Sequence, residues 1–204
     1  MDFTLSYTVI IIIVTALISF AAFSNEEITN KLILWPRYMK SPAEYYRFLT
    51  SGFIHADIAH LGFNMFTLYF CGESMELIMS IVASKWLFIV LYLSAIIISS
   101  IPSYIKHRHN SYFRSLGASG GVAAVLFATI YYSPWSMIYV YFIKMPSILF
   151  AFIYLGYSVY MSRRGGDNIN HDAHLWGSIY GFVFAFLVDP SHGATFINAI
   201  THLR

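Results

Sequence analysis

Four polar side chains that could form a catalytic centre lie where polar loops give way to apolar runs. Ser119 lies in "LGASGG", His174 in "AHLWGSIYG", and His60 and Asn64 in "HLGFN". A serine becomes a nucleophile when a base such as histidine accepts its proton. His60 and Asn64 share one face of a helix and can present N–H donors to an oxyanion, as can the backbone N–H of Ser119 at a helix start. These residue types predict acyl transfer.

The composition indicates an integral membrane protein. Of the 204 residues, 58% are hydrophobic and 11% are charged, and the mean hydropathy is +0.62. A soluble domain carries about 25% charged residues, so this chain has too few to cover a globular surface. The small net charge of +2 and the lack of a basic block argue against nucleic acid as a partner. The single cysteine, Cys71, cannot form an internal disulfide and is expected to be a buried hydrophobe.

Six apolar runs predict six helices that cross the bilayer, at residues 4–23, 58–80, 85–101, 116–132, 145–161 and 173–188. Pro102 is expected to end the third helix. The first run lacks the basic segment of a signal peptide, so we interpret it as a retained helix. Because backbone polar groups in lipid must bond internally, we predict an all-α membrane protein with one six-helix domain over residues 1–190 and a short tail, 191–204. The long first loop, 24–57, is predicted to be functional or partly embedded.

Chain connectivity brings the polar residues to one side of this predicted bundle. With six helices, the first ends of the second, fourth and sixth must face the same way, and they carry His55, His60 and Asn64, then Ser119, then His174. Ser119 to Tyr132 spans about 21 Å of helix, and His174 to Val188 about 22 Å. Ser119 and His174 are therefore expected at nearly the same depth below one surface.

Small residues predict that the fourth and sixth helices approach closely. Gly117, Gly120 and Gly121 remove side-chain bulk around Ser119, and Gly177 and Gly181 form a GxxxG face. Such faces allow close contact between membrane helices, which a serine–histidine pair on separate helices requires. No acid is evident in the sequence to orient His174, so packing would have to hold it.

Other interpretations of these residues remain open. A serine among glycines can serve packing alone. A zinc protease could use His55, His60 and His174, but HExxH is absent and no Asp or Glu has usable ligand spacing. A small transporter or scaffold could use the same polar cavity, although repeated broken helices and paired charges are not evident.

Three motifs resemble those of the rhomboid intramembrane serine proteases. "GASG" resembles the family's GxSG, "HLGFN" its HxxxN, and "AHLWGSIYG" its AHxxGxxxG. The resemblance covers about residues 5–190, in the family's order. Arg47 resembles the family's Trp-Arg feature in the first loop, and Glu76 the acid that ends its second helix.

This resemblance implies a six-helix rhomboid-like bundle and a role for each residue. Ser119 would be the nucleophile and His174 the general base and acid, with His60, Asn64 and the Ser119 amide as the oxyanion hole and His55 in support. The family uses no metal or cofactor, cleaves transmembrane segments of other proteins, and admits substrate past its fifth helix and a loop cap. Segments with helix-weakening residues would be favoured, and neither nucleic acid nor an obligate partner is implied.

The chain departs from the family pattern at two places. Tyr46 stands where the family has Trp before Arg47, and Ala123 stands where some relatives place an aromatic residue that packs on the histidine. Because the matched catalytic positions are all retained, we expect an active enzyme. A rhomboid-like pseudoprotease that only binds transmembrane segments is the alternative.

Cationic residues give a conflicting indication of orientation. The first, third and fifth loops hold nine of them: Lys31, Arg37, Lys40, Arg47, Lys106, Arg108, Arg114, Arg163 and Arg164. The opposite side holds three: Lys85, Lys144 and Arg204. The positive-inside rule would place the catalytic face inside. We follow the resemblance, because the family's first loop is embedded, and expect a multi-pass protein of the cell membrane with its catalytic face outward.

Overall fold

The computed structural model describes residues 5–140 and 142–201 and is mostly helical. Nine α-helices lie within these residues: α1 Tyr7–Phe23, α2 Glu26–Leu32, α3 Arg47–Thr50, α4 Ile58–Val82, α5 Leu87–His107, α6 Ser119–Tyr132, α7 Ser147–Arg164, α8 His171–Val188 and α9 His192–Thr201. The strands β1, Met137–Val140, and β2, Ile143–Pro146, form an antiparallel hairpin. The predicted start of the first helix at residue 4, the tail residues 202–204 and the cation Arg204 lie outside the described residues.

Helix α6 lies at the centre of the bundle and is buried around almost its whole circumference. Residues 120–128 are all buried, and α4, α5 and α8 pack around them. A helix with apolar side chains on every face is stable inside a protein or in lipid, and α6 carries an unbroken run of Gly, Ala, Val, Leu and Phe that is buried inside the protein. The central position of α6 means that its first residue, Ser119, is surrounded by the other helices.

The long first loop is folded and packs into the protein. It contains α2, α3 and three 3₁₀ turns, at residues 36–38, 42–44 and 51–53, and its Leu34 and Ile54 are fully buried. Arg47 holds it together, since its Nη1 donates to the carbonyls of Asn30 at 2.7 Å and Ile33 at 3.0 Å. The segment is therefore a structured layer against the helices; its being partly embedded in the membrane stays a prediction.

Glu76 attaches the start of α1 to α4. Its buried carboxylate accepts hydrogen bonds from the backbone amides of Tyr7 at 2.9 Å and Thr8 at 2.8 Å, which are free donors in the first turn of α1. The Thr8 hydroxyl and Lys85 Nζ, each at 2.9 Å, complete the contacts. The residue caps a helix from another part of the chain and fixes the α1–α4 contact.

Two details of the predicted elements were wrong. Helix α5 continues through Pro102 to His107, because the part beyond the proline is held by tertiary contacts: Ser103 donates to Asn170 Oδ1 at 2.8 Å and Lys106 pairs with Asp172 at 2.7 Å. Helix α6 begins at Ser119, three residues later than predicted, because Gly117 adopts a φ of 115° that ends regular backbone there. The hairpin between α6 and α7 was not predicted.

By length and composition, two helices among the described residues, α4 and α5, are long and apolar enough to cross a membrane. Helices α1 and α6 are apolar but shorter, at 17 and 14 residues.

Candidate active site

A cavity of about 1040 Å³ opens beside the first turn of α6. It is bounded by α4, α6, α7 and the start of α8, and Ser119, His174, His60 and Asn64 all line it. The four residues come from three separate parts of the chain. The fold therefore gathers on one cavity the four side chains whose chemistry suggested acyl transfer.

Ser119 is the first residue of α6, and the loop before it is fixed by backbone hydrogen bonds. The Gly117 amide donates to the carbonyl of Ser51 at 2.9 Å, and the Ala118 amide donates to His55 Nε2 at 3.2 Å. Gly117 has to be glycine, both for its φ of 115° and because a Cβ there would lie 2.6 Å from His60 Cε1. Ser119 thus lies at a helix N-terminus, where backbone N–H groups and the helix dipole favour negative charge.

His55 lies behind this loop, outside the cavity lining, with 3% of its surface exposed. Because Nε2 accepts from Ala118, the proton is assigned to Nδ1, which donates to Ser19 Oγ at 2.9 Å; Ser19 in turn donates to the Phe53 carbonyl at 3.0 Å. Burial, and secondarily the neighbouring His60, lower the pKa of His55 to about 3. The imidazole is therefore neutral and links α1, the first loop and the segment before Ser119.

His60 and Asn64 lie one turn apart on α4, on the face that lines the cavity. Asp57 caps this helix by accepting from the His60 amide at 2.7 Å, and the ring of His60 packs edge-on against His55 at 5.0 Å. Asn64 Nδ2 donates to the His60 carbonyl at 2.9 Å. The side chains are held near Gly117 and Ser119 as a pair of potential oxyanion donors.

Helices α6 and α8 approach until their backbones touch. A Cβ on Gly177 would overlap the Gly120 carbonyl, and one on Gly181 would overlap the Ala124 carbonyl. A Cβ on Gly120 would collide with Ser99 of α5. The predicted small-residue faces are therefore the contact surfaces, and the GxxxG stripe of α8 runs parallel to α6 in register.

His174 lies in the first turn of α8, next to an N-cap that connects three elements. Asn170 Oδ1 accepts from the Ala173 amide at 3.1 Å and from Ser103 of α5 at 2.8 Å, while its Nδ2 donates to Ser115 at 2.9 Å. The imidazole of His174 lies 6.0 Å from the Tyr154 ring and 5.8 Å from that of His171. Within the described residues no hydrogen bond joins His174 to Ser119; such bonds commonly tighten only when substrate is bound.

An acid that lines the cavity contacts His171 rather than His174. Asp167, which lines the cavity, lies with Oδ2 3.0 Å from His171 Nε2, and this hydrogen bond lowers the pKa of the Asp167 carboxyl. Across the described residues, no group of three His, Cys, Asp or Glu side chains is arranged to hold a metal ion. The cavity contains a serine, a histidine and amide donors, and in the described part of the chain no carboxylate is hydrogen-bonded to the His174 imidazole.

The predicted supporting residues all lie outside the cavity lining, and the structure adds two residues that the sequence did not suggest. His55 and the glycines pack around the site, whereas two other predicted residues act elsewhere. Arg47 and Glu76 line no part of the cavity and stabilise the first loop and the start of α1. Asn170 and Tyr154 were missed. The spacing of Asn170 before Ala173 is an N-cap signal that could have been found, whereas the contact of Tyr154 with His174 joins two helices and leaves no local pattern.

The family model and the curated proteins that match this chain all carry rhomboid names. The model of the Rhomboid domain family matches residues 42–191. "RHOMBOID-like protein 12, mitochondrial" of Arabidopsis thaliana is 28% identical over 76% of this chain and 50% of its own length. "Rhomboid protease GluP" of Bacillus subtilis is 31% identical over 74% and 28%, and "Rhomboid-related protein 1" of Caenorhabditis elegans is 30% identical over 73% and 41%. The chain spans half or less of the length of these relatives.

Proposed function

The chain belongs to the rhomboid family of integral membrane proteins, and from this premise we propose that it is an intramembrane serine endopeptidase. It cleaves transmembrane segments of other membrane proteins through a dyad of Ser119 and His174. The observation that carries the proposal is the shared cavity, which Ser119 of α6, His174 of α8, and His60 and Asn64 of α4 all line.

The reaction proceeds by acyl transfer. His174 takes the proton from Ser119 Oγ as that oxygen attacks the carbonyl carbon of the scissile peptide bond. The oxyanion that forms is stabilised by His60, Asn64 and the Ser119 amide, which lies at the positive end of the α6 dipole. His174 then protonates the leaving amine, and a water molecule, activated by the same base, hydrolyses the ester to release the acid and restore Ser119. The reaction needs neither a metal nor a cofactor.

The proposed topology has six membrane crossings, formed by α1, α4, α5, α6, α7 and α8. In this arrangement the 14 residues of α6 span about 21 Å of a hydrocarbon core of about 30 Å, and the loop before Ser119 completes the crossing. Ser119 therefore lies below the membrane surface, in a cavity that admits water. The substrate must unwind to expose a peptide bond, which favours segments with glycine or other helix-weakening residues.

The decisive experiment replaces the nucleophile. Ser119→Ala is expected to abolish cleavage of a model transmembrane substrate, and labelling by a fluorophosphonate probe, while binding of the substrate and the melting temperature persist. Ser80→Ala, an exposed serine near the end of α4, is the matched control and should behave as wild type. If wild type binds transmembrane segments but neither cleaves them nor reacts with the probe, the chain is a rhomboid-like pseudoprotease.

We also propose that the protein lies in the cell membrane with the cavity facing outward, although several relatives have mitochondrial in their names. Lys106 and Lys85 are engaged in ion pairs, so exposed neighbours serve better as probes. In a Cys71→Ala background, cysteine at position 109, after α5, should react with an impermeant maleimide in intact cells, and cysteine at position 83, after α4, should not. The reverse labelling would show the opposite orientation.

A further inference from the structure

The aromatic ring of Tyr154, on α7, packs against the imidazole of His174. The ring centroids are 6.0 Å apart and the planes are inclined by 22°, an offset stack. The second ring beside His174 is His171, which meets it edge-on at 5.8 Å. Within the described residues the His174 imidazole makes no hydrogen bond, which leaves these ring contacts to orient it.

Tyr154 contacts α6 as well as His174. Ser119, Ala123 and Phe127 follow one another at four-residue spacing and lie along one face of α6. The Tyr154 ring contacts both Phe127, at 5.9 Å, and His174, at 6.0 Å between ring centroids. Ala123, between Ser119 and Phe127, is buried and carries only a methyl group, and it lines the same cavity as Tyr154.

We propose that Tyr154 is a positioning residue that holds the His174 imidazole toward Ser119. The proposal rests on the proposed protease function and adds a dependence on α7. Because Tyr154 belongs to the helix that forms one wall of the cavity, a displacement of α7 away from α6 removes the support of the general base. The position of α7 therefore sets both the width of the cavity and the competence of His174.

Removal of the ring tests this role. Tyr154→Ala is expected to lower kcat roughly 10- to 100-fold, a part of the 10²–10⁴-fold that a positioned base supplies, with a smaller change in KM. The rate of fluorophosphonate labelling of Ser119 should fall in parallel, since the probe needs the same base. Tyr154→Phe keeps the ring and should retain most of the rate. Phe152→Ala, an exposed aromatic on the same helix, is the matched control and should match wild type.

If Tyr154→Ala does not fold, Tyr154→Leu tests the same role, because it removes the ring but fills more of the space than alanine does. A melting temperature in detergent establishes which variants are folded. A folded ring-less variant whose kcat stays within twofold of wild type overturns the role of Tyr154, and so does an equal loss in Tyr154→Phe. If wild type itself neither cleaves substrate nor labels at Ser119, the protease function fails and the positioning role fails with it.

A double variant tests whether Tyr154 occupies a gap that the small side chain of Ala123 leaves in the cavity wall. Ala123→Tyr alone should reduce kcat, because two rings then compete for one space. Ala123→Tyr combined with Tyr154→Ala returns a ring to that space from α6 and should regain part of the lost kcat. Losses that simply add in the double variant would contradict a shared gap.

Discussion

The Ala118 backbone amide donates to His55 Nε2 at 3.2 Å, and this bond fixes the residue immediately before the candidate nucleophile. The opposite nitrogen of His55 is committed to Ser19 of α1, so the ring cannot rotate without losing both partners. The direction of the Ser119 amide therefore depends on a histidine that does not itself line the cavity.

Replacement of His55 should impair the reaction without removing any group that touches substrate. His55→Ala is expected to lower kcat about 10-fold, less than the 10²–10³-fold that loss of an oxyanion donor itself costs, because the donor remains but is less well directed. Steady-state cleavage of a model transmembrane substrate measures it. His109→Ala, in the exposed loop after α5, is the control. An unchanged kcat in a folded His55→Ala protein would contradict this role.

Acid should destabilise the folded protein through His55. Its pKa is lowered from 6.5 to about 3, so between those values the unfolded chain binds a proton that the folded state excludes. The stabilisation is complete above pH 6.5 and is lost as the pH falls toward 3. Melting temperatures of wild type and His55→Gln across this range should converge at low pH, since the variant lacks the titrating group. A constant difference between the two proteins would show that His55 does not carry this dependence.

A methyl group at Gly177 should separate α6 from α8. Because the added Cβ overlaps the Gly120 carbonyl, Gly177→Ala is expected to cost about 1–3 kcal/mol of unfolding free energy and most of the activity. Gly156→Ala on α7, where a Cβ meets nothing within 4 Å, is the matched control and should be neutral or slightly stabilising. Denaturation in detergent together with the cleavage rate distinguishes the two variants. Equal behaviour of both would mean that the helices have room to adjust.

Loss of the Glu76 charge should loosen α1 while the cavity stays intact. In Glu76→Gln an NH2 group replaces one carboxylate oxygen, so one of the two backbone amides, of Tyr7 or Thr8, loses its acceptor. The expected cost is about 1–3 kcal/mol of unfolding free energy. Differential scanning fluorimetry measures the change, and fluorophosphonate labelling should proceed at the wild-type rate below the melting temperature. Glu26→Gln, exposed at the start of α2, is the control. An equal loss of stability in Glu26→Gln would show that the change in net charge, and not the lost hydrogen bonds, causes the effect.

Asn170 should matter for both stability and rate. Asn170→Ala removes the cap of α8 and the bonds to Ser103 and Ser115, with an expected cost of about 0.5–2 kcal/mol and a lower kcat because His174 lies in the first turn of that helix. Asn170→Asp keeps the cap but lacks the donor to Ser115, so it should recover stability in part. The exposed Asn198→Ala on α9 is the control. A wild-type melting temperature in Asn170→Ala would contradict the stabilising role of Asn170.

The positions of the candidate site residues on the helices could be predicted from the sequence, because local patterns around them indicate helix starts and contact faces. The change from polar loop to apolar run locates the start of a membrane helix within a few residues, as Ser119 and His174 show. Helix connectivity then assigns the helix ends to sides, and the spacing of Gly177 and Gly181 identifies a contact face. These inferences need only local patterns and the order of the elements along the chain.

What only the tertiary structure decided depends on contacts between distant residues. Helix α5 continues past Pro102 because Ser103 and Lys106 contact residues at the start of α8. Local propensity alone predicted, wrongly, that the helix ends at the proline. Position 123 on α6 carries no aromatic ring, and the ring that contacts His174 is that of Tyr154 on α7. A ring contact between helices leaves no periodicity in the sequence, because each helix pattern records which face is apolar but not which partner side chain fills a given gap.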